Sequence, residues 1–340
     1  MSDAAFPARI LYPQARITAI GSYVPERRLT NADLERIVDT SDRWIIERTG
    51  IKERRICAPD EFTSDLCIAA VQNMKDRFQP DLSDVDLVLV STSTPDFAFP
   101  STAALVQAHF AIPHAGTMDL SAACAGFVNG LLTAFGMVTA GFHRKIIVIG
   151  ADALSKMTDY TDRSTCILFG DGAGAVLVER TDEPRPQPVV CVQGSDGDGG
   201  IHLYQTHTTG SMRGRPVTAN GKIIQNGREV YKFAVQTIPR GVAAMLSAAG
   251  LAPADVDWFL PHSANLRIIE SVCEKTGIPL NRTLHTIERY GNTSAATIPL
   301  AMDEGVRQGR FKAGDAMLLF GFGGGLVHTG MLMRWAGLGQ

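Results

Sequence analysis

The chain alternates short apolar runs with longer stretches whose apolar residues recur at helical spacing. Leu82-Ser-Asp-Val-Asp-Leu-Val-Leu-Val-Ser opens as an acidic turn and becomes an apolar strand, and Ala252-Pro-Ala-Asp-Val-Asp-Trp-Phe-Leu-Pro repeats the pattern. Each is followed by a helical stretch, Thr102 to Phe110 and Ala264 to Thr276. Two similar turns into helices come next, Asp119-Leu-Ser-Ala-Ala-Cys-Ala-Gly and Tyr290-Gly-Asn-Thr-Ser-Ala-Ala-Thr. Each leads to a strand, Lys145-Ile-Ile-Val-Ile-Gly and Asp315-Ala-Met-Leu-Leu-Phe-Gly. The interval from Ser91 to Cys124 nearly equals that from His262 to Asn292, and the interval from Cys124 to Ile146 nearly equals that from Asn292 to Ala316. Strands and helices at this spacing predict βαβ units and sheets covered on both faces, and the repetition predicts a duplication. The Pro-rich stretch Glu183-Pro-Arg-Pro-Gln-Pro is the expected link, dividing 1–185 from 186–340. Equivalent turns of two such halves should meet at a pseudo-twofold interface and could build one shared site.

The segment from Leu120 to Phe142 carries no formal charge and is long enough to span a bilayer. It contains Asn129 and four glycines and its apolar residues are mostly small, so a buried core helix is the better reading. The N-terminus lacks the apolar core of a signal peptide, and six cysteines without a C-x-x-C pair sit in apolar segments. A reduced cytoplasm is expected, with no membrane association. The net charge of −3 provides no bulk positive field for a nucleic-acid backbone, so an anionic ligand must be met by a local patch.

Three residues stand out chemically. Cys124, between two alanines at a helix start, has small neighbours and a helix N-terminus that favours thiolate, which suits a nucleophile toward thioesters. His262 ends the strand Trp258-Phe259-Leu260, where α/β folds collect ligand-handling groups. Asn292 sits in a turn before its own helix, where a simple capping role competes. The other five cysteines read as buried hydrophobes. The order Cys, His, Asn also occurs in papain-like proteases, but Ala-Ala-Cys-Ala-Gly-Phe inside a duplicated α/β pattern lacks their signature. The glycine clusters at Gly170 and Gly321 turn into β-rich segments and do not spell a dinucleotide loop; Gly323-Gly-Gly could instead supply an oxyanion-hole N–H. Ser195-Asp-Gly-Asp-Gly-Gly fails the calcium-loop pattern, and no metal site is expected.

From Arg16 to Trp335 the sequence resembles β-ketoacyl-acyl-carrier-protein synthase III, a thiolase-fold condensing enzyme. The blocks that carry the resemblance include Thr40-Ser-Asp-Arg-Trp-Ile-Ile-Glu-Arg-Thr-Gly-Ile, Ala122-Ala-Cys-Ala-Gly-Phe, Phe169-Gly-Asp-Gly-Ala-Gly-Ala, Pro261-His-Ser-Ala-Asn-Leu-Arg-Ile, Tyr290-Gly-Asn-Thr-Ser and Gly321-Phe-Gly-Gly-Gly. It implies an α/β thiolase-like fold, two duplicated halves in an α-β-α-β-α sandwich. It implies that Cys124 accepts an acyl group from acyl-CoA and that His262 and Asn292 hydrogen bond the malonyl thioester oxygen. The N–H groups of Cys124 and Gly324 would form the oxyanion hole, with Phe322 beside it. Trp44, Arg48 and Arg163 would hold the adenine end of CoA, and Asn265 its pantetheine arm. Arg267 would dock malonyl-acyl-carrier protein, and Phe99 would close the acyl pocket of a homodimer partner. CoA enters as substrate and no cofactor is implied. The arm to Gln14 is extra to the family pattern, and Ser263 stands where Gln is common. A homologue serving a specialised pathway, with another starter or acyl acceptor, is the alternative within the class; a binding protein with a degenerate site is the alternative outside it.

Overall fold

The computed structural model describes residues 6–184 and 186–338. Two five-stranded sheets form its frame. The first contains β2 (Ala15–Tyr23), β3 (Leu87–Ser91), β4 (Gly116–Leu120), β5 (Lys145–Ala153) and β6 (Asp171–Arg180), in the order β2-β6-β5-β3-β4. The second contains β1 (Arg9–Leu11), β7 (Val189–Ser195), β8 (Trp258–Pro261), β9 (Ala316–Gly323) and β10 (Val327–Arg334), in the order β1-β7-β10-β9-β8. The chain passes from one sheet to the other between Arg180 and Val189. Arg185, where the sequence places the division, lies outside the described residues.

Alternate side chains of the strands enter different apolar layers, as the two-residue period of a strand requires. In β3, Leu87 and Leu89 face the space between the sheets while Val88 and Val90 face outward; in β9, Met317 and Leu319 face between and Leu318 and Phe320 outward. The inner layer is filled by α4 (Gly126–Thr139) and α7 (Thr297–Arg307). Helices α2 (Thr63–Phe78) and α3 (Thr102–His109) cover the outer face of the first sheet, and α5 (Gly227–Ala249) and α6 (Leu266–Thr276) that of the second. A short helix, α1 (Asp42–Thr49), stands near the start of α6. The result is the expected α-β-α-β-α sandwich. The long uncharged segment is its central helix α4, and among the described residues no helix is long and apolar enough to cross a membrane.

The strand registers define the repeat. Leu87 pairs with Ile146 in the first sheet and Trp258 with Met317 in the second, so one constant offset in numbering carries both strands of the first pair onto the second. The turns before α4 and α7 obey the same offset: Ala123–Ala125 and Ser294–Ala296 form matching 3-10 turns, entered through left-handed residues at Ala123 (φ 44) and Ser294 (φ 51). Cys124 therefore corresponds to Ala295. Motif spacing sets Cys124 against Asn292, slightly too early in the second half; with Ala295 in its place the first interval becomes identical in the two halves and the second differs by one residue.

The N-terminal arm is integral to the second sheet: Arg9–Leu11 pairs antiparallel with β7, and Phe6 packs against His328 with ring centroids 5.1 Å apart.

Candidate active site

Each half's strand end cradles the other half's turn. A Cβ on Gly321 would lie 2.7 Å from Ala125 Cα, and one on Gly150, its counterpart, 2.4 Å from the Ala295 carbonyl oxygen. Only glycine permits this approach, and it brings Cys124 of the first half to the end of β9 in the second. Gly323 is equally confined, since a Cβ there would meet Cys124 Cβ at 2.8 Å and its Sγ at 2.9 Å.

His262 follows β8, its N–H donating to Phe320 O at 2.8 Å and continuing the parallel ladder. It is buried, lies edge-on to Phe322 with ring centroids 5.1 Å apart, and its Nδ1 is 2.7 Å from Thr297 Oγ1. Burial pushes its imidazole down to about 3, so it is neutral at physiological pH.

Asn292 belongs to the second half but is gripped by the first: its N–H donates to Leu168 O at 2.9 Å and its C=O accepts from Gly170 N–H at 3.0 Å. Gly170 is required there, because a Cβ would come within 2.1 Å of Tyr290 O. This gives the Phe169-Gly170 motif a function that its sequence did not disclose. The Oδ1 of Asn292 accepts from Ser294 N–H at 2.9 Å, which leaves its Nδ2 as the free donor.

Cys124, His262 and Asn292 line one cavity of about 660 Å³, together with Phe322, Gly323 and Gly324. Cys124 as a residue is only partly covered, because it opens on this cavity. The expected thiolate is nevertheless not the resting form: burial pushes the thiol up to about 12, against a Ser294 hydrogen bond that lowers it. A helix start signals thiolate in sequence, but the apolar enclosure that opposes it exists only in three dimensions.

The outer cavity wall carries Trp44, Arg48 and Asn265. Ser41 caps α1 by accepting from Trp44 N–H at 3.2 Å, and Gly50 ends it in a left-handed conformation pressed against Leu266. Arg163 lies 4.8 Å and Arg48 5.9 Å from the Trp44 ring centre, an aromatic surface flanked by guanidinium groups. Asn265 caps α6 by accepting from Arg267 N–H at 2.9 Å and donates to Arg48 O at 3.1 Å. Arg267 itself is exposed on the first turn of α6. Phe99 is 86% exposed and does not line the cavity of its own chain. Ser263 accepts from Thr286 N–H at 3.2 Å. Sequence reasoning passed over Ser294, Thr297 and Asp152; the only clue to the first two was their place in the repeated turn. Among the described residues no group of three or more His, Cys, Asp or Glu side chains could hold a metal ion.

Known proteins share both sequence and frame. The family described as 3-oxoacyl-[acyl-carrier-protein] synthase III matches residues 118–197, and its C-terminal counterpart matches residues 246–335. The beta-ketoacyl-[acyl-carrier-protein] synthase III 2 of Halalkalibacterium halodurans is 58% identical over 95% of this chain and 97% of its own. That of Bacillus subtilis is 55% identical over 95% of this chain and 99% of its own. The crystal structure of the Thermus thermophilus synthase III superposes with a TM-score of 0.90 at 45% identity, covering 95% of this chain and 99% of that one. With the duplicated sandwich, the interlocked turns and near-complete coverage in agreement, the chain belongs to the β-ketoacyl-acyl-carrier-protein synthase III family.

Proposed function

We propose that the protein catalyses the condensation that starts fatty-acid chains. An acyl-CoA acylates Cys124 and CoA leaves; a malonyl thioester on acyl-carrier protein then loses carbon dioxide, and its carbanion attacks acyl-Cys124 to give 3-oxoacyl-carrier protein. The observation that carries this reading is convergence: a cysteine from one half and a histidine and an asparagine from the other open on one cavity.

Decarboxylation places negative charge on the thioester oxygen. Neutral His262 and the Asn292 Nδ2 are donors suited to that oxygen, and neither has to be deprotonated or desolvated during the reaction. Each such donor is worth about 10²–10³ in rate. The N–H groups of Cys124 and Gly324 serve the second oxyanion, formed when the carbanion attacks. Trp44 with Arg48 and Arg163 receives the adenine and phosphates of CoA, Asn265 the pantetheine arm, and Arg267 the acidic carrier. The thioester itself brings the activated acyl group, so this reading calls for no resident cofactor, and substrates of this kind belong to the cytoplasm.

A homodimer completes the pocket. Strand β4 is an edge of the first sheet, with Met118 exposed, and Phe97 and Phe99 are exposed on the segment between β3 and α3. An edge of this kind invites pairing with a second copy, which would carry Phe99 to the partner's acyl chain.

Incubation with acyl-CoA followed by mass spectrometry tests the reading. A single acyl adduct on Cys124, absent from Cys124→Ala, is expected. His262→Ala and Asn292→Ala should keep that adduct while losing malonyl decarboxylation. An adduct elsewhere, or undiminished decarboxylation in both variants, would overturn it.

A further inference from the structure

One charge buried beside the site is left without a role by the reaction described above. Arg54 lies on a short strand, Glu53–Arg55, and none of its surface reaches solvent. Burial lowers its guanidinium to about 10, so it is still a cation at physiological pH. Among the described residues its partners are all neutral: Nη1 donates to Asn31 Oδ1 at 2.7 Å and to Leu29 O at 3.3 Å, Nη2 donates to Ile167 O at 2.5 Å, and Nε has no partner. A cation taken out of water without an anion beside it is costly, and an apolar side chain would fill the same space without that cost. What an apolar side chain lacks is a rigid fork of donors that reaches in two directions at once.

One prong of the fork leads to Asn292. Arg54 holds Ile167 O; the next carbonyl, Leu168 O, accepts the Asn292 N–H, and Gly170 N–H donates back to Asn292 O. The stem of Arg54 lies against both sides of this clip, since a Cβ added at Gly170 or at Gly291 would come 3.2 Å from Arg54 Cβ. The other prong leads to α1. Asn31, itself buried, accepts from Arg54 and turns its amide on the two ends of that helix: Nδ2 donates to Oδ1 of Asp42, which opens it, at 2.8 Å and to the carbonyl of Ile51, just past its close, at 2.9 Å. Helix α1 carries Trp44 and Arg48 on the cavity wall.

We propose that Arg54 is a positioning residue that holds the Asn292 donor and the CoA-binding helix α1 in one fixed relation. The proposal rests on the roles given to Asn292 and Trp44 above. Thr49, Ile167 and Leu168 line the cavity, and Arg54 stands behind them and acts through the Ile167 carbonyl and Asn31. Acyl-CoA and the malonyl arm of the carrier occupy this cavity in turn, so the wall that seats the first and the donor that serves the second must keep their spacing through both steps. The clip on Asn292 is also where the first half grips the second, and the fork fixes that grip to α1 of the first half.

The test separates the two prongs. In each protein the Cys124 that acyl-CoA can load is counted by mass spectrometry, so that decarboxylation is expressed per working site and misfolded chains drop out. Arg54→Met keeps the stem and removes the fork. Per working site it should decarboxylate malonyl-carrier protein about 10²-fold more slowly, as a displaced donor requires, and its KM for acyl-CoA in the loading step should rise about tenfold. Asn31→Ala leaves the guanidinium on Ile167 and frees α1, so it should raise the KM for acyl-CoA by a similar factor while decarboxylation stays within about twofold of the wild type. A role in stability alone would lower the number of working sites and move neither parameter. Wild-type decarboxylation per site in Arg54→Met, or an equal loss of decarboxylation in Asn31→Ala, would overturn the proposal. Should Arg54→Met yield no working sites, Arg54→Lys decides: its single ammonium keeps the charge without the fork, and wild-type values of both parameters would overturn the proposal. Asn292→Ala is run beside them. Undiminished decarboxylation there would remove the role given to Asn292, and the proposal with it, whereas loss there with none in Arg54→Met would defeat the proposal alone.

Discussion

Thr297 Oγ1 stands 2.7 Å from His262 Nδ1 and 3.0 Å from the Ser294 carbonyl oxygen. It has one proton to give. Ser294 O already accepts the Thr297 backbone N–H, whereas among the described residues no other polar group is found at Nδ1. A Thr297 hydroxyl that donates to Nδ1 places the imidazole proton on Nε2, the form needed to donate to a thioester oxygen. Thr297→Val should therefore slow malonyl decarboxylation by up to about 10²-fold, and Thr297→Ser should restore it. Nitrogen-15 shifts of His262 would show the proton moving to Nδ1 in the valine variant, and an unchanged tautomer would refute the arrangement.

Gly323 offers a sharper steric test. Since an added methyl would lie 2.9 Å from Cys124 Sγ, Gly323→Ala should displace the sulfur without altering any ionisable group. A misplacement of this size costs about 10²-fold in a reaction that depends on alignment. Acylation by acyl-CoA should drop by that factor while circular dichroism and cooperative unfolding are retained. Loading at the wild-type rate would mean that the turn shifts freely.

Much of this was legible in the chain. The repeated strand and turn motifs disclosed the duplication, and placing Cys124, His262 and Asn292 on equivalent or adjacent turns singled them out. The register was less legible: Asn292 matches Cys124 by motif because both carry chemistry, whereas backbone conformation pairs Cys124 with Ala295, which carries none. Ser294, Thr297 and Asp152 are common small polar residues, and their meaning depends on contacts between positions far apart in the chain, Asp152 with Ala295 and His262 with Thr297. The arm strand Arg9–Leu11 is too short for a period to show. The resting state of Cys124 depends on enclosure, which no local pattern encodes.

The halves are also joined by a buried acid. Asp303 on α7, with no exposed side-chain surface, bonds Arg77 at 2.5 Å, Arg307 at 2.8 Å and the Ser22 hydroxyl at 2.6 Å. Arg77 and Ser22 belong to α2 and β2 of the first half. Removing the carboxylate leaves two cations without their anion, but both arginines reach solvent, which moderates the loss. Asp303→Ala should lower stability by about 2–3 kcal/mol in urea unfolding. A change below about 0.5 kcal/mol would show that the contact contributes little to cohesion.

The assembly can be tested separately from the chemistry. Met118→Lys places a charge on the exposed edge strand β4, where pairing of two copies would bury it. Sedimentation should show a dimer for the wild type and a shift toward monomer for the variant. Phe99→Ala should instead keep the dimer and alter which acyl-CoA chain lengths load fastest. An unchanged chain-length profile would exclude Phe99 from the pocket.

Neutral His262 has a thermodynamic signature. Its imidazole titrates near 3 in the folded protein and near 6.5 when unfolded. Between these values the unfolded chain binds a proton that the folded one refuses, so stability rises with pH across the window and falls as pH drops below 6.5. At pH 5 this one group should cost the folded state about 2 kcal/mol. Asp152, raised from 3.8 to about 6, contributes a slope of opposite sign between those values. Both proteins share it, so it cancels in the difference between wild type and His262→Gln. Relative to the wild type, His262→Gln should therefore gain about 2 kcal/mol in urea unfolding between pH 7 and pH 5. Parallel pH curves for the two proteins would mean that the folded imidazole accepts its proton normally, and a site built on a permanently neutral donor would have to be abandoned.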